Sequence, residues 1–280
     1  MNLINSKAHI FIPGGESADV AMQRTTHLCI AAHQDDVEIM AYGAIAECHS
    51  SDSLHFSAVV VTDGAGSPRT GAYAHMTDEE MQLVRSQEQD SAASIGKYAA
   101  MFQLAYPSRI VKDGADTRCP AELAAIIRAC SPSHLYTHNP YDKHDTHVSV
   151  MLRTIAALRL LAPDERPAHI YGLEVWRSLD WLMDESKAVF DTAYNPELAL
   201  ELLSVFASQC SGGKRYDLAA IGRRLANATF FASHAVDDSN SCTYGLDLTP
   251  LLEAEDINSF IDRHIQDLRA EVLSRIGRYV

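Results

Sequence analysis

Short, almost wholly apolar runs alternate along this chain with longer stretches whose apolar residues recur at helical spacing. The first clear run, 28–32, is followed at once by a polar cluster and then by small and apolar residues over 37–48. Further runs at 56–61, 102–106, 135–138 and 170–175 read as strands, because residues buried on both faces of a parallel sheet need no polar alternation. Between them lie predicted helices at 77–95, 120–129 and 148–161. The first of these segments opens on Thr77-Asp78-Glu79-Glu80, a capping residue followed by acids in the first turn, and stops at Gly96.

Residues 1–24 hold only a brief apolar patch and a Pro-Gly-Gly turn, which predicts a lead-in strand or arm. Beyond Trp181 the alternation gives way to a strand at 188–192, helices at 197–209 and 218–234, a Ser/Asn/Asp-rich loop at 237–241 and a last helix over 253–276. Strands alternating with helices imply βαβ units and a parallel sheet covered on both faces. The expectation is therefore an α/β fold, a Rossmann-like mostly parallel sheet with helices on both faces and a C-terminal helical elaboration. No repeat and no long linker divides the chain. It reads as one domain over 1–280, with the Rossmann-like core at about 25–195 and the helical part at about 196–280.

Composition narrows the partners. With 23 basic and 37 acidic residues the net charge is −14, so nucleic acid and anionic membrane surfaces are disfavoured, and neutral or amine-bearing ligands are better suited. No apolar run approaches a membrane span, and the first fifteen residues lack the features of a secretory signal. The six cysteines contain no CxxC pair and suit reduced core thiols. These features predict a cytoplasmic protein acting on a small molecule, with a homo-oligomer left open.

Two polar clusters stand at predicted strand ends, where open α/β sheets bind their ligands. One is His33-Gln34-Asp35-Asp36, and the other is the stretch from His138 to His147. His33 and Asp36 are three apart, as are His144 and His147. Imidazoles and a carboxylate on facing loops make a zinc site with a position left for water, and Asp35 is a carboxylate beside it suited to act as general base. Taken singly, each spacing is more often a helix cap or a surface pair. Together, the concentration of histidines and aspartates at a buried sheet rim points to a metal.

Ala32-His33-Gln34-Asp35-Asp36-Val37-Glu38 resembles the Ala-His-Pro-Asp-Asp-x-Glu signature of the PIG-L/LmbE family of zinc-dependent N-acetylglucosaminyl deacetylases. Asp142-x-His144-x-x-His147 resembles the family's second signature, and Thr62-Asp63-Gly64 and Arg85-x-x-Glu88 match its intervening loop and helix. The resemblance spans about 27–176. It implies His33, Asp36 and His147 as zinc ligands, Asp35 as general base, and His144 as the group that steadies the oxyanion, oriented by Asp142. It also implies an amino-sugar substrate that loses its N-acetyl group. Gln34 stands where the family commonly has Pro, and Asp145-Thr146 where it has Pro-Asp. A zinc amidase acting on a non-sugar amide, and a sugar-binding protein without turnover, are the competing readings.

Several weaker features complete the list. Arg69, in the loop 64–71, is a candidate contact to a sugar hydroxyl, although such loops are mobile connections by default. Trp176, Arg177 and Trp181 suit either an aromatic wall or the core. Ser211-Gly212-Gly213-Lys214 lacks the spacing of a phosphate loop. Lys214, Arg215, Arg223 and Arg224 form a basic patch expected to be a solvated helix face or a subunit contact. Ile257, Ile261, Ile265, Leu268, Val272 and Ile276 form an apolar stripe expected to dock the last helix.

Overall fold

The structure, a computed structural model, describes residues 1–211, 214–253 and 256–280. Gly212 and Gly213 of the Ser-Gly-Gly-Lys segment, and residues 254 and 255 at the expected start of the last helix, lie outside the described residues. Eight strands form one sheet: β1 (His9–Phe11), β2 (His27–Ala31), β3 (Phe56–Thr62), β4 (Met101–Tyr106), β5 (His134–His138), β6 (His169–Leu173), β7 (Ala188–Asp191) and β8 (Cys242–Asp247). The helices are α1 (Ala18–Arg24), α2 (Asp36–Met40), α3 (Tyr42–His49), α4 (Asp78–Ile95), α5 (Ser108–Lys112), α6 (Arg118–Cys130), α7 (Asp145–Arg159), α8 (Pro196–Ser204), α9 (Ala207–Cys210), α10 (Tyr216–Phe230) and α11 (Ile257–Gly277).

The strand order is β1-β4-β3-β2-β5-β6-β8-β7. The five strands β4, β3, β2, β5 and β6 are parallel, while β1 pairs antiparallel with β4 and β8 antiparallel with both β6 and β7. Alternate residues of each strand feed two cores. Leu28 and Ile30 of β2 pack with α1, α6 and α7 on one face, and Cys29 and Ala31 with α2, α3, α4 and α8 on the other. After β2 the chain winds outward through β3 and β4, then returns to build β5 and β6 on the opposite side. The carboxyl ends of β2 and β5 thus flank the switch point of the sheet, where a crevice must open.

Four elements differ from expectation. The lead-in arm contains α1, capped by the Ser17 hydroxyl, as well as β1. The helix expected at 37–48 breaks at Ala41 because the buried Arg224 guanidinium donates to the carbonyls of Glu38 and Ile39, which a continuous helix would spend on residues 42 and 43. The helix expected at 197–209 turns at Phe206, whose ring is driven into the core. The C-terminal part is not wholly helical. It supplies β8, which crosses from 242 to 247 and fills the sheet between β6 and β7. Gly245 fits there because a Cβ would stand 2.6 Å from Leu173 Cδ2. All six cysteines are free thiols, five of them buried. Among the described residues no helix is long and apolar enough to cross a membrane.

Candidate metal centre and active site

Both predicted clusters come together at the switch point. The turn after β2 folds so that the Asp36 carboxylate accepts the backbone N–H of His33 at 2.8 Å, and Asp36 then opens α2. The loop after β5 is shaped by Asp142. Its Oδ1 accepts the N–H of His144, the N-cap of α7, and His147 follows in the first turn of that helix. The result is a triangle of three electron-donating atoms: His33 Nδ1 lies 3.1 Å from Asp36 Oδ2 and 3.2 Å from His147 Nε2, which lies 3.2 Å from Asp36 Oδ2. Bonds of about 2.0–2.1 Å in a tetrahedron put ligand atoms about 3.3 Å apart. The triangle therefore fits a small divalent ion at its apex.

The electrostatics suit a cation there. Burial works against the charge of His147, but the Asp36 and Asp142 carboxylates outweigh it and raise its pKa to about 9. Asp36 is held well below the carboxylate range, because His147 and His33 overcome its burial. Asp142 Oδ2 pairs with His147 Nδ1 at 3.3 Å and also accepts the N–H of Trp176, so it orients His147 rather than the ring of His144. The resemblance implied the opposite pairing. The difference arises because the first turn of α7 aims the His147 ring inward, and Asp142 meets His144 only at its main chain.

His144 is half-buried beside the triangle, its ring 4.5 Å from that of His147 and 4.9 Å from that of His33. Burial, together with His147 and His33, lowers its pKa to about 4, so it stands as a neutral imidazole. Its nitrogen also lies close enough to His33 and His147 to make a second triad, and Asp36, His138 and His147 make a third. In the latter, His138 Nε2 already accepts the N–H of Ala32 at 2.9 Å. That bond locks the end of β5 to the end of β2 and occupies the nitrogen's lone pair.

Asp35 adopts the left-handed conformation at φ 85°, unusual for a residue with a side chain and characteristic of strained functional turns. Its N–H is taken by Gln89 Oε1, and its Oδ2 meets the buried Arg85 guanidinium at 3.2 Å. Burial raises Asp35 to about 6 against the pull of Arg85. Arg85 also donates to the carbonyl of Gln34 and to Glu88, whose carboxylate is held by the hydroxyl and N–H of Ser208 on α9. Gln34, in the position the family usually gives to Pro, ties the turn to β3 and β4 through Thr62 O and Gln103 Oε1, each at 3.4 Å. The framework that fixes Asp35 thus involves Gln89 and Ser208, which the sequence did not single out. The Arg85-x-x-Glu88 spacing was visible, its target was not.

A cavity of about 530 Å3 opens over the triangle. His33, Asp35, Asp36 and His144 line its floor. Val175, Trp176 and Tyr216 line a wall, with the Trp176 and Tyr216 rings nearly perpendicular at 5.9 Å. Trp181 instead packs edge-on against Tyr141, 4.8 Å away. Gly66, Ser67 and Pro68 bring the loop 64–71 to the rim, but Arg69 does not line the cavity. Its guanidinium donates to the carbonyls of Ala65, Ser67 and Met76 and to the Asp78 carboxylate, folding the loop upon itself. The basic patch divides. Arg224 is buried over the Tyr42 ring, Arg223 lines the cavity, and only Lys214 and Arg215 are exposed. A wholly solvated face is therefore ruled out.

An α/β sheet carrying a His-Asp-His triangle and an adjacent carboxylate at its switch point makes a candidate divalent-metal site with a carboxylate beside it. Residues 28–158, which supply all of the triangle, match the model of the PIG-L family, described as GlcNAc-PI de-N-acetylase. No curated protein sequence matches the chain. Among solved structures it resembles N,N'-diacetylchitobiose deacetylase from Pyrococcus horikoshii, with a TM-score of 0.66 and 16% identity, covering 87% of this chain and 90% of that one. It also resembles the 4-carboxy-2-hydroxymuconate hydratase GalB from Pseudomonas putida KT2440, with a TM-score of 0.59 and 19% identity over 81% and 97% of the two chains. The A40926 pseudoaglycone deacetylase Dbv21 gives a TM-score of 0.57 and 16% identity over 80% and 97%. At such identities the likeness concerns the fold, which hosts hydrolysis in two of these proteins and hydration in the third.

Proposed function

We propose that the protein is a zinc-dependent deacetylase that hydrolyses the N-acetyl group of an N-acetylglucosamine-type sugar or conjugate, releasing acetate and a free amine. The observation that carries this reading is the triangle of His33, Asp36 and His147, with edges of 3.1–3.2 Å, beside a strained and buried Asp35 at the floor of a sugar-sized cavity. Two imidazoles and a carboxylate form a donor set of the kind zinc accepts. When bound, such an ion supplies Lewis acidity toward the acetamide carbonyl and eases ionisation of water near neutral pH.

The chain's own groups account for the remaining chemistry. Arg85 engages Oδ2 of Asp35, so acceptance of the proton from the attacking water falls to Oδ1. The same carboxyl, carrying that proton, delivers it to the amide nitrogen as the C–N bond breaks. Neutral His144 donates an N–H toward the oxygen that gains charge in the tetrahedral transition state. Trp176 and Tyr216 offer flat apolar surface to one side of a sugar ring. The family match and the two deacetylases among the structural relatives support this reading, and a cytoplasmic setting suits the reduced thiols.

The test is acetate release from a panel of N-acetylated amino sugars and simple acetamides, before chelation, after chelation and after zinc is restored. Release that disappears with chelation, returns with zinc and requires the sugar is expected. A folded, metal-loaded protein that releases no acetate from any member would reject the assignment, and equal release from simple acetamides would make it a general amidase.

A further inference from the structure

We infer that the mouth of the cavity is an anion subsite, so that the preferred substrate carries a phosphate or carboxylate in addition to its N-acetyl group. This rests on the deacetylase reading for its kinetic arm only. Lys112 at the end of α5, Lys143 in the loop after β5 and Arg223 on α10 come from three separate elements and all line the same cavity. Their convergence runs against the composition, because the chain carries a net charge of −14 and acidic residues outnumber basic ones by 37 to 23.

Elsewhere in the molecule basic side chains find acids readily, as in Arg24 with Glu16, Arg118 with Asp116, Arg128 with Glu165 and Arg215 with Asp217. Among the described residues, none of Lys112, Lys143 and Arg223 has a carboxylate within ion-pair distance. Arg223 donates only to the carbonyl of Val175, which fixes its stem against the cavity wall and leaves further guanidinium donors. The lining contains two carboxylates, and both are engaged: Asp35 by Arg85, Asp36 by His33 and His147.

The cavity is therefore polarised. Its floor gathers the metal-binding and proton-transfer groups, and its rim gathers cationic donors that, among the described residues, no carboxylate meets at ion-pair distance, the nearby charge felt by Arg223 being that of the buried Glu174. A substrate with the acetamide on the floor and its ring against Trp176 would present its far substituents to that rim. A guanidinium and two ammonium groups match the oxygen atoms of a phosphate or carboxylate, and charge-assisted hydrogen bonds of this kind are stronger than neutral ones. The acidity of the chain as a whole suggests neutral or amine-bearing ligands, but at this mouth the local charge has the opposite sign.

The measurement compares kcat/KM for acetate release from N-acetylglucosamine, its 1-phosphate, its 6-phosphate and N-acetylmuramic acid, the last carrying a carboxylate in place of phosphate. A preference of about 10- to 100-fold for at least one anionic substrate is expected, the scale of one or two charge-assisted contacts. It should shrink between 0.05 and 0.5 M salt. In Lys143→Gln the ratio of anionic to neutral substrate should fall by about threefold or more, and in Lys143→Gln/Arg223→Gln toward unity, through KM. Because Arg223 also bonds the main chain, the exposed Lys143→Gln variant alone keeps the comparison valid if the double variant fails to fold. Acetate release with no preference for any anionic substrate would overturn the subsite while leaving the deacetylase reading intact. If no acetate is released, calorimetric binding of glucosamine 6-phosphate against glucosamine decides. A preference of tenfold or more retains the subsite, and equal or undetectable binding overturns it.

Discussion

Asp35 is held on three sides: its N–H by Gln89, its Oδ2 by Arg85 and its carbonyl by the N–H of Ile39 in α2. This clamping supports a residue placed for reaction, since a helix cap would accept a main-chain N–H and Asp35 makes no side-chain cap bond. Asp35→Asn should lower turnover by about 10²–10⁴-fold with metal content and folding unchanged. A metal-loaded Asp35→Asn protein retaining more than about a tenth of the rate would contradict proton transfer at this position. Asp142 acts at one remove, through the ring of His147. Asp142→Ala should weaken metal affinity by about 10–100-fold, the usual cost of losing a carboxylate behind a ligating histidine. Competition with a chromophoric chelator measures this directly, and an unchanged affinity would show that the pair is structural only. The two polar clusters were legible in the sequence because each is local and ends a strand, while the choice of His33, Asp36 and His147 among them came from the family resemblance. Their supporting groups were not, because Gln89 and Ser208 reach the site only once α4 and α9 have packed.

Among the elements, α4 shows how a helix start and a helix face divide their work. Its first turn carries a complete capping box, with Thr77 and Glu80 each satisfying the other's main-chain N–H, while Arg85, Glu88 and Gln89 further along face the site. Thr77→Ala is expected to cost about 1 kcal/mol and to leave turnover alone. Gly64, in the loop facing that helix, is different. It holds φ +71, and a Cβ there would stand 2.7 Å from Gln34 Oε1 and 3.1 Å from Arg85 Cβ. Gly64→Ala should cost about 1–2 kcal/mol from backbone strain, and should also lower turnover, since of the side chains it displaces Arg85 bonds Asp35 and Gln34 ties its turn to the sheet. Thermal melts paired with rate measurements separate the two variants. Loss of stability without loss of rate in Gly64→Ala would mean that the turn does not transmit to the base. The alternation of strands and helices was readable because parallel strands are continuous apolar runs. β8 escaped because Cys242-Thr243-Tyr244-Gly245 mixes polar and glycine residues and follows a Ser/Asn/Asp-rich loop, so only its pairing with β6 and β7 reveals it.

At the scale of the whole molecule, the sheet carries a second row of histidines at its other edge. His27, His134 and His169 stand in register at the starts of β2, β5 and β6, their rings stacked at 4.6 and 4.5 Å. Burial, followed by the field of His134, lowers His27 to about 4. The folded state thus binds a proton less readily than the unfolded chain. Stability is complete above the ordinary histidine pKa of 6.5 and is lost as pH falls from there toward 4. With part of the effect screened by solvent, His27 should account for about 1–2 kcal/mol of loss between pH 7 and pH 5. Denaturant titrations of wild type and His27→Gln at both pH values test this. The variant should lose less, and identical losses would show that the stack does not sense protons.

The insertion of β8 between β6 and β7 also orders events during synthesis. β7 leaves the ribosome some fifty residues before the strand that joins it to the sheet, and until Cys242 to Asp247 arrive it has no partner while β6 has an open edge. Over the same interval the buried carboxylate of Glu174 lacks the N–H of Tyr244, one of the donors that satisfy it, and Glu174 opens the segment that carries Val175 and Trp176 into the cavity wall. The groups of the floor are complete by His147, yet the wall beside them is secured only once residues 242–247 have joined the sheet. Synthesis would therefore bring the triangle together well before the cavity, and the arrival of β8, not assembly of the triangle, would mark the point at which a substrate could be held.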